Sequence, residues 1–205
     1  MSQIGTVTAS GPRWATVTRS TKETQITVTL KLDGTGETKI ETGVGFYDHL
    51  LNSLAHHALF DLEIDASGDL VIDEHHTVED VALVFGAALA QALGDRAGIA
   101  RFGDSSVPMD ESVATAVVDM GGRPYAVIDL PFKGKRAGKM PLELIEHAFE
   151  SLTRAGGVTL NLKGRGRNDH HLAEAAFKAV GRALSAAVAV DPRRQGPAST
   201  KGALG

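Results

Sequence analysis

From Ala15 to Leu32 apolar and polar residues alternate: Val17 is followed by Ile26, Val28, Leu30 and Leu32 on a two-residue period. That period predicts strands, with Glu23 at the turn or strand start between two of them. Asp33-Gly34-Thr35-Gly36 reads as a turn and Lys39 to Thr42 as a short third strand. The period then changes. Phe46, Leu50, Leu51, Leu54 and Ala58 follow helical spacing, Leu59 to Ala66 alternates again, and Val71-Ile72 leads into a long apolar helix reaching about Leu93. The second half repeats the order. Strands are expected near Ser112 to Met120 and Tyr125 to Leu130, then a polar loop, Lys133 to Lys139, and a helix Pro141 to Arg154. A strand at Val158 to Leu162 and a last helix running to about Val190 complete it. The pattern predicts an α+β fold from a duplicated strands-helix-strand-helix module, residues 1–97 and 98–191. Residues 1–12 read as a loose leader and 192–205 as a Pro-, Gly- and Ser-containing tail.

The two long helices open on the same motif. Asp73-Glu74-His75-His76-Thr77-Val78-Glu79-Asp80 returns as Asn168-Asp169-His170-His171-Leu172-Ala173-Glu174-Ala175, His-His-x-x-Glu in both cases. Residues four apart share a helix face, so His75 stands over Glu79 and His170 over Glu174, an imidazole and a carboxylate able to grip one divalent metal. The adjoining His76 and His171 point about 100° away around the helix and must serve a different partner. Aligning the halves also matches His49 with His147, so six of the eight histidines fall at equivalent points. Solvated helix starts do not require such a correspondence. His56 and His57 have no counterpart, since Arg154 and Ala155 stand there.

Composition narrows the chemistry. The chain has 205 residues, 42% hydrophobic and 22% charged, enough for one globular unit or two small halves sharing a core. A net charge of −4 argues against nucleic acid as a partner. With no cysteine, any metal must be held by His, Asp and Glu. No apolar run approaches the ~20 residues of a membrane span, and the start lacks the order of a signal peptide, so a cytoplasmic location is expected. The symmetric division of ligands places His75, Glu79, His147 and His171 around one metal and His170, Glu174, His49 and His76 around another. Three imidazoles and one carboxylate with open positions suit six-coordinate Mn, Fe or Co better than closed tetrahedral Zn.

These motifs resemble the two signatures of imidazoleglycerol-phosphate dehydratase, an enzyme family of histidine biosynthesis. Phe46-Tyr47-Asp48-His49-Leu50-Leu51, Arg101-Phe102-Gly103-Asp104, Pro108-Met109-Asp110-Glu111, Gly122-Arg123-Pro124-Tyr125 and Ser199-Thr200-Lys201-Gly202 extend the resemblance along nearly the whole chain. It implies repeats of the ribosomal S5 domain 2-like type with helices between two sheets. It also implies the monofunctional form, without a phosphatase domain. Two Mn2+ per active site, divided as above, would be completed between subunits of a homo-oligomer in which trimers build a shell of twenty-four copies. Catalysis would fall to Glu23 with Glu79, Glu174, His49 and His76. Substrate contacts would include Glu23, His49, His57, His75, Glu79, Arg101, Arg123, His170, Lys178, Ser199, Thr200 and Lys201, with the tail closing over phosphate.

The implied reaction removes water from the glycerol side chain of D-erythro-imidazole-glycerol phosphate to give imidazole-acetol phosphate. The hydrogen removed lies beside a hydroxyl and not a carbonyl, so the imidazole ring must supply the electrons. Two metals on its nitrogens would favour an imidazolate, which can expel hydroxyl to a diazafulvene, and loss of the next proton gives an enol and then the ketone. A carboxylate in reach must carry the protons, and Glu23 is the candidate. Arg101, Arg123 and Lys201 with Ser199 would hold the phosphate. Two other readings stand beside this one. A dimetal phosphoesterase should show metal-bridging carboxylates, and a non-catalytic metal-binding shell would leave Glu23, the arginines and the tail without purpose.

Overall fold

The computed structural model describes residues 13–194, 196–202 and 204. The expected leader, residues 1–12, lies outside them. Two four-stranded sheets and four long helices form the body, and the two halves share one topology. Strands β1 (Trp14–Ser20), β2 (Thr24–Lys31) and β3 (Thr38–Glu41) precede helix α1 (Gly45–Ala58); strand β4 (Asp61–Gly68) precedes helix α2 (His75–Leu93). The second half runs β5 (Phe102–Met109), β6 (Ser112–Asp119), β7 (Tyr125–Asp129), a two-residue ribbon β8 (Arg136–Ala137) and β9 (Met140–Pro141), α3 (Glu143–Gly156), β10 (Thr159–Arg165) and α4 (Asp169–Val188). The sheet orders are β1-β2-β4-β3 and β5-β6-β10-β7, each with its last pair parallel and the others antiparallel.

Strand β5 corrects the sequence reading, which left residues 102–109 unassigned. Its sequence, FGDSSVPM, has no apolar alternation because it is an edge strand carrying a proline, and its main inward residue is Gly103. A Cβ there would stand 2.1 Å from the Ala183 carbonyl of α4, so helix and strand touch backbone to backbone. The polar loop expected at 133–139 contains β8, and Pro141 ends β9 instead of starting the helix. The last helix stops at Val188, and Val190 bridges back to Ile99.

The helices lie between the sheets. Helix α2 packs on β1 and β2, α4 on β5 and β6, and the helices then pair across the halves, α1 with α4 and α2 with α3. Aromatic rings meet in the shared core: Phe149 and Phe177 pack tilted at 43° with centroids 4.6 Å apart, and Tyr47 meets Phe177 edge-on. Each helix crossing turns on a glycine. A Cβ on Gly86 would stand 2.4 Å from the Leu152 carbonyl, and one on Gly181 2.3 Å from that of Leu54. No side chain fits there, so the axes come close at two equivalent places. The same end signal closes α1 and α3, each stopped by a left-handed residue, Leu59 at φ 59° and Gly157 at φ 60°.

Candidate metal centre and phosphate cavity

The crossings decide which histidines meet. Helix α4 begins with Asn168, whose side chain accepts from the backbone N–H groups of His170 and His171 and fixes the first turn. Asp73 does this for His75 in α2. His170 then stands over Glu174 as the spacing requires, with Nε2 2.9 Å from Oε1. Across the α1–α4 crossing His49 Nε2 comes within 3.1 Å of the same oxygen. The α2–α3 crossing builds the counterpart: Glu79 Oε2 lies 3.9 Å from His75 Nε2 and 3.5 Å from His147 Nε2. In each triad one ligand atom per residue lies within 4.8 Å of the others, the spacing a cation needs.

Both triads fit a metal by their own chemistry. His147 Nε2 is buried without a hydrogen-bond partner, an arrangement that a coordinated cation would relieve. Each carboxylate also has its second oxygen held by a cation of the chain. Lys178 donates to Glu174 Oε2 at 2.6 Å, and Arg154 donates to Glu79 Oε1 at 3.0 Å. Burial pushes Glu174 up, but Lys178 and His49 outweigh it and bring the carboxyl down to about 2. Glu79 is likewise lowered: burial raises it, while His147 and Arg154 prevail. Both are therefore ionised and ready to ligate at neutral pH. Phe46 packs 4.9 Å from the His170 ring and limits its swing.

His76 and His171 stand outside these triads. Their ring planes are turned 86° and 87° from those of His75 and His170, with centroids 6.0 and 6.2 Å apart. His76 Nδ1 lies 3.0 Å from Asp69 Oδ2 and 4.0 Å from Glu23 Oε2. His171 Nδ1 lies 3.0 Å from Glu111 Oε2. Asp69 and Glu111 raise the basicity of His76 and His171 respectively, chiefly through these hydrogen bonds. Glu23 sits in the β1–β2 turn with its side chain 57% exposed. Each expected set of four thus has three members together in one chain. His57, on the last turn of α1, is pushed towards its neutral form by burial and then by the charges of Lys178, His56 and Arg182.

The residues expected to hold phosphate line one cavity of about 370 Å³. Arg101, Arg123, Ser199, Thr200 and Lys201 all border it, with Phe102 and Gly121. Arg101 adopts φ 75° at the mouth of β5, its ends tied to the Ala187 carbonyl and the Met120 N–H. Its guanidinium clasps Asp119 through two donors at 2.6 and 2.9 Å and donates to the Ala198 carbonyl at 2.6 Å, so it also pins the tail. Five N–H donors on an arginine leave others for a ligand. The tail is further held by an Ala97–Pro197 bridge and by the Gly98 N–H donating to the Gly196 carbonyl. No residue of the two triads lines this cavity.

Sequence reasoning passed over Asp69, Arg154 and the contact made by Glu111. Glu111 carried a signal, since it directly precedes β6 as Glu23 precedes β2. Asp69 and Arg154 had none, because their contacts depend on a loop path and a helix crossing.

The chain is similar to known proteins along most of its length. The family profile for imidazoleglycerol-phosphate dehydratase matches residues 42–184. The imidazoleglycerol-phosphate dehydratase of Methanoculleus marisnigri is 52% identical over 192 residues, 94% of this chain and 100% of that one. The bifunctional histidine biosynthesis protein HisB of Stenotrophomonas maltophilia is 53% identical over 198 residues, 96% of this chain and 54% of its own. A crystal structure of the Pyrococcus furiosus enzyme superposes with a TM-score of 0.79 at 34% identity, covering 91% of this chain and 99% of that one. One from Staphylococcus aureus also gives 0.79, at 33% identity, over 87% and 99%. No helix among the described residues is long and apolar enough to cross a membrane. By profile, by sequence over its length and by fold, the chain belongs to the imidazoleglycerol-phosphate dehydratase family.

Proposed function

We propose that the chain is the hydro-lyase of L-histidine biosynthesis that converts D-erythro-imidazole-glycerol phosphate to imidazole-acetol phosphate and water. The observation that carries this reading is the pair of equivalent His-His-Glu triads, each assembled across the repeat, in a chain that also builds a basic cavity lined by Arg101, Arg123 and Lys201. Residues 1–97 and 98–191 are the two repeats, and 192–205 closes on the substrate phosphate.

In this reading His49, His170 and Glu174 hold one Mn2+ and His75, Glu79 and His147 the other, with His76 and His171 supplied from neighbouring copies. Bound there, the cations supply Lewis acidity towards the substrate's ring nitrogens. The rest falls to the side chains. Arg101, Arg123, Ser199 and Lys201 fix the phosphate, which aligns the glycerol chain. Glu23, exposed and beside His76, moves the protons: it takes the hydrogen from the carbon next to the one losing hydroxyl and returns a proton as the enol becomes ketone. Lys178 and Arg154 keep the two ligating carboxylates ionised and oriented. His76 and His171 lie outside the triads of their own chain, so a fourth ligand for each cation would come from another copy packed against it. That supports a closed homo-oligomer, which we take to be a shell of twenty-four copies built from trimers, in the cytoplasm.

Stripping the assembled protein with EDTA and adding imidazole-glycerol phosphate tests the reading. Ketone formation should vanish and return with Mn2+. Release of inorganic phosphate instead would favour the phosphoesterase, and metal uptake without turnover a non-catalytic shell.

A further inference from the structure

The two outer histidines are held by carboxylates that are not counterparts in the repeat. Counting back six residues from each His-His pair, Asp69 corresponds to Gly164, which has no side chain to offer. Glu111 comes instead from the hairpin turn before β6, the place that Glu23 occupies before β2. The two turn glutamates therefore face equivalent histidines, but their freedom differs. Glu111 Oε1 accepts from the N–H groups of Arg167 and Asn168 at 3.0 and 2.8 Å and from the Ser112 hydroxyl at 2.9 Å, while Oε2 takes His171. The Glu23 carboxylate accepts no hydrogen bond among the described residues and stands 4.0 Å from His76. Asp69 makes the closer contact with His76, and its other oxygen is buried without a partner. A carboxylate oxygen left in that state calls for a compensating role.

An ionised carboxylate only accepts, so each Nδ1 carries the ring hydrogen and each Nε2 keeps its lone pair for a cation. We propose that Asp69 and Glu111 are the positioning carboxylates of the metal centre, each fixing the tautomer of one outer histidine. Because Asp69 does this in the first half, Glu23 is left free to carry protons, whereas its counterpart Glu111 is spent as an anchor. The duplicated module is thus divided into a half with a mobile carboxylate and a half with a locked one. This rests on the metal reading above.

The test uses Glu111→Gln and Asp69→Asn in the assembled, metal-free protein, with Mn2+ titrated calorimetrically and thermal melting followed without metal. Glutamine keeps an oxygen for the Arg167 and Asn168 N–H groups but turns an amide donor towards His171. That moves the ring hydrogen to Nε2 and blocks ligation. Each variant should bind Mn2+ roughly ten- to a hundredfold more weakly with an unchanged metal-free melting temperature. Glu23→Gln should bind Mn2+ as the parent does. Parent-like Mn2+ affinity in both anchor variants, or weaker binding accompanied by a lower metal-free melting temperature, would overturn the positioning role. Glu23→Gln weakening Mn2+ as much as Asp69→Asn would overturn the division of labour. A parent protein that takes up no Mn2+ would bring down the metal reading itself, which separates the two failures.

Discussion

Glu174 is 6% exposed and touches two imidazoles through one oxygen and an ammonium through the other. Its pairing with His170 was legible from a four-residue spacing, because a helix leaves little choice of neighbour. The ammonium was not read in this role, since Lys178 was expected only as a substrate contact, although it lies one further turn along. Arg154, which performs that service for Glu79, was not legible: it sits on another helix, and the repeat aligns it only with His56. Glu23 was placed by its turn, and Glu23→Gln is expected to lower kcat by roughly a hundred- to ten-thousandfold, as removal of a proton carrier does, with little change in KM. Arg101→Lys should raise KM for the phosphorylated substrate. An ammonium cannot hold both Asp119 oxygens and the Ala198 carbonyl while still reaching phosphate, so steady-state kinetics should show the KM change clearly ahead of any kcat change. Away from the site, the Thr35 backbone N–H, with Lys31 and the Glu37 N–H, brings Asp61 down to about 2 against the opposing effect of burial. A lowered carboxyl contributes stability that is complete above its unfolded value near ~3.9 and is lost as pH falls towards 2. Acid unfolding should therefore steepen between about pH 4 and pH 2, and Asp61→Asn should flatten that window.

The elements divide by how much of their surface the core reads. Helices α2 and α4 were placed within a few residues because their apolar spacing, His-His starts, Gly94 after α2 and Pro192 beyond α4 mark both ends. Strand β5 was missed because it presents a glycine and a proline where alternation would show apolar side chains. Its reason for glycine is the backbone of α4, which no local pattern records. The crossing glycines make the same point more sharply. Gly181→Ala pushes a methyl against the Leu54 carbonyl, and Gly86→Ala against that of Leu152. Each should cost about 1–3 kcal/mol in denaturant unfolding and part His49 from Glu174 or His147 from Glu79, weakening Mn2+ at the corresponding triad. The opposite sign is expected at Leu59. This exposed leucine holds the left-handed end of α1 where α3 uses glycine, and Leu59→Gly should gain roughly 0.5–1 kcal/mol.

On the scale of the whole molecule, helices from one half meet those of the other, so each triad draws ligands from both halves and neither half contains one. If the outer histidines are supplied by neighbouring copies, one copy contributes its second motif to a site and the next copy its first. His49→Ala and His76→Ala proteins, each inactive alone, should then regain turnover when denatured, mixed and reassembled, with roughly a quarter of sites intact by random assortment. Recovery no greater than either parent variant would place all eight ligands in one chain. The sequence by itself determined the duplication, the helical faces carrying His and Glu, and the donor types, because these are periodic or compositional and a helix converts spacing directly into direction. The tertiary structure alone decided which helices cross, that Asp69 and Glu111 hydrogen-bond the outer histidines, that Arg154 backs Glu79, and that Arg101 ties the tail to the basic cavity it lines. Apart from Asp69, seven residues before His76, those contacts join residues tens of positions apart, and they are set by where backbones can approach, which here depends on glycines that carry no side-chain pattern.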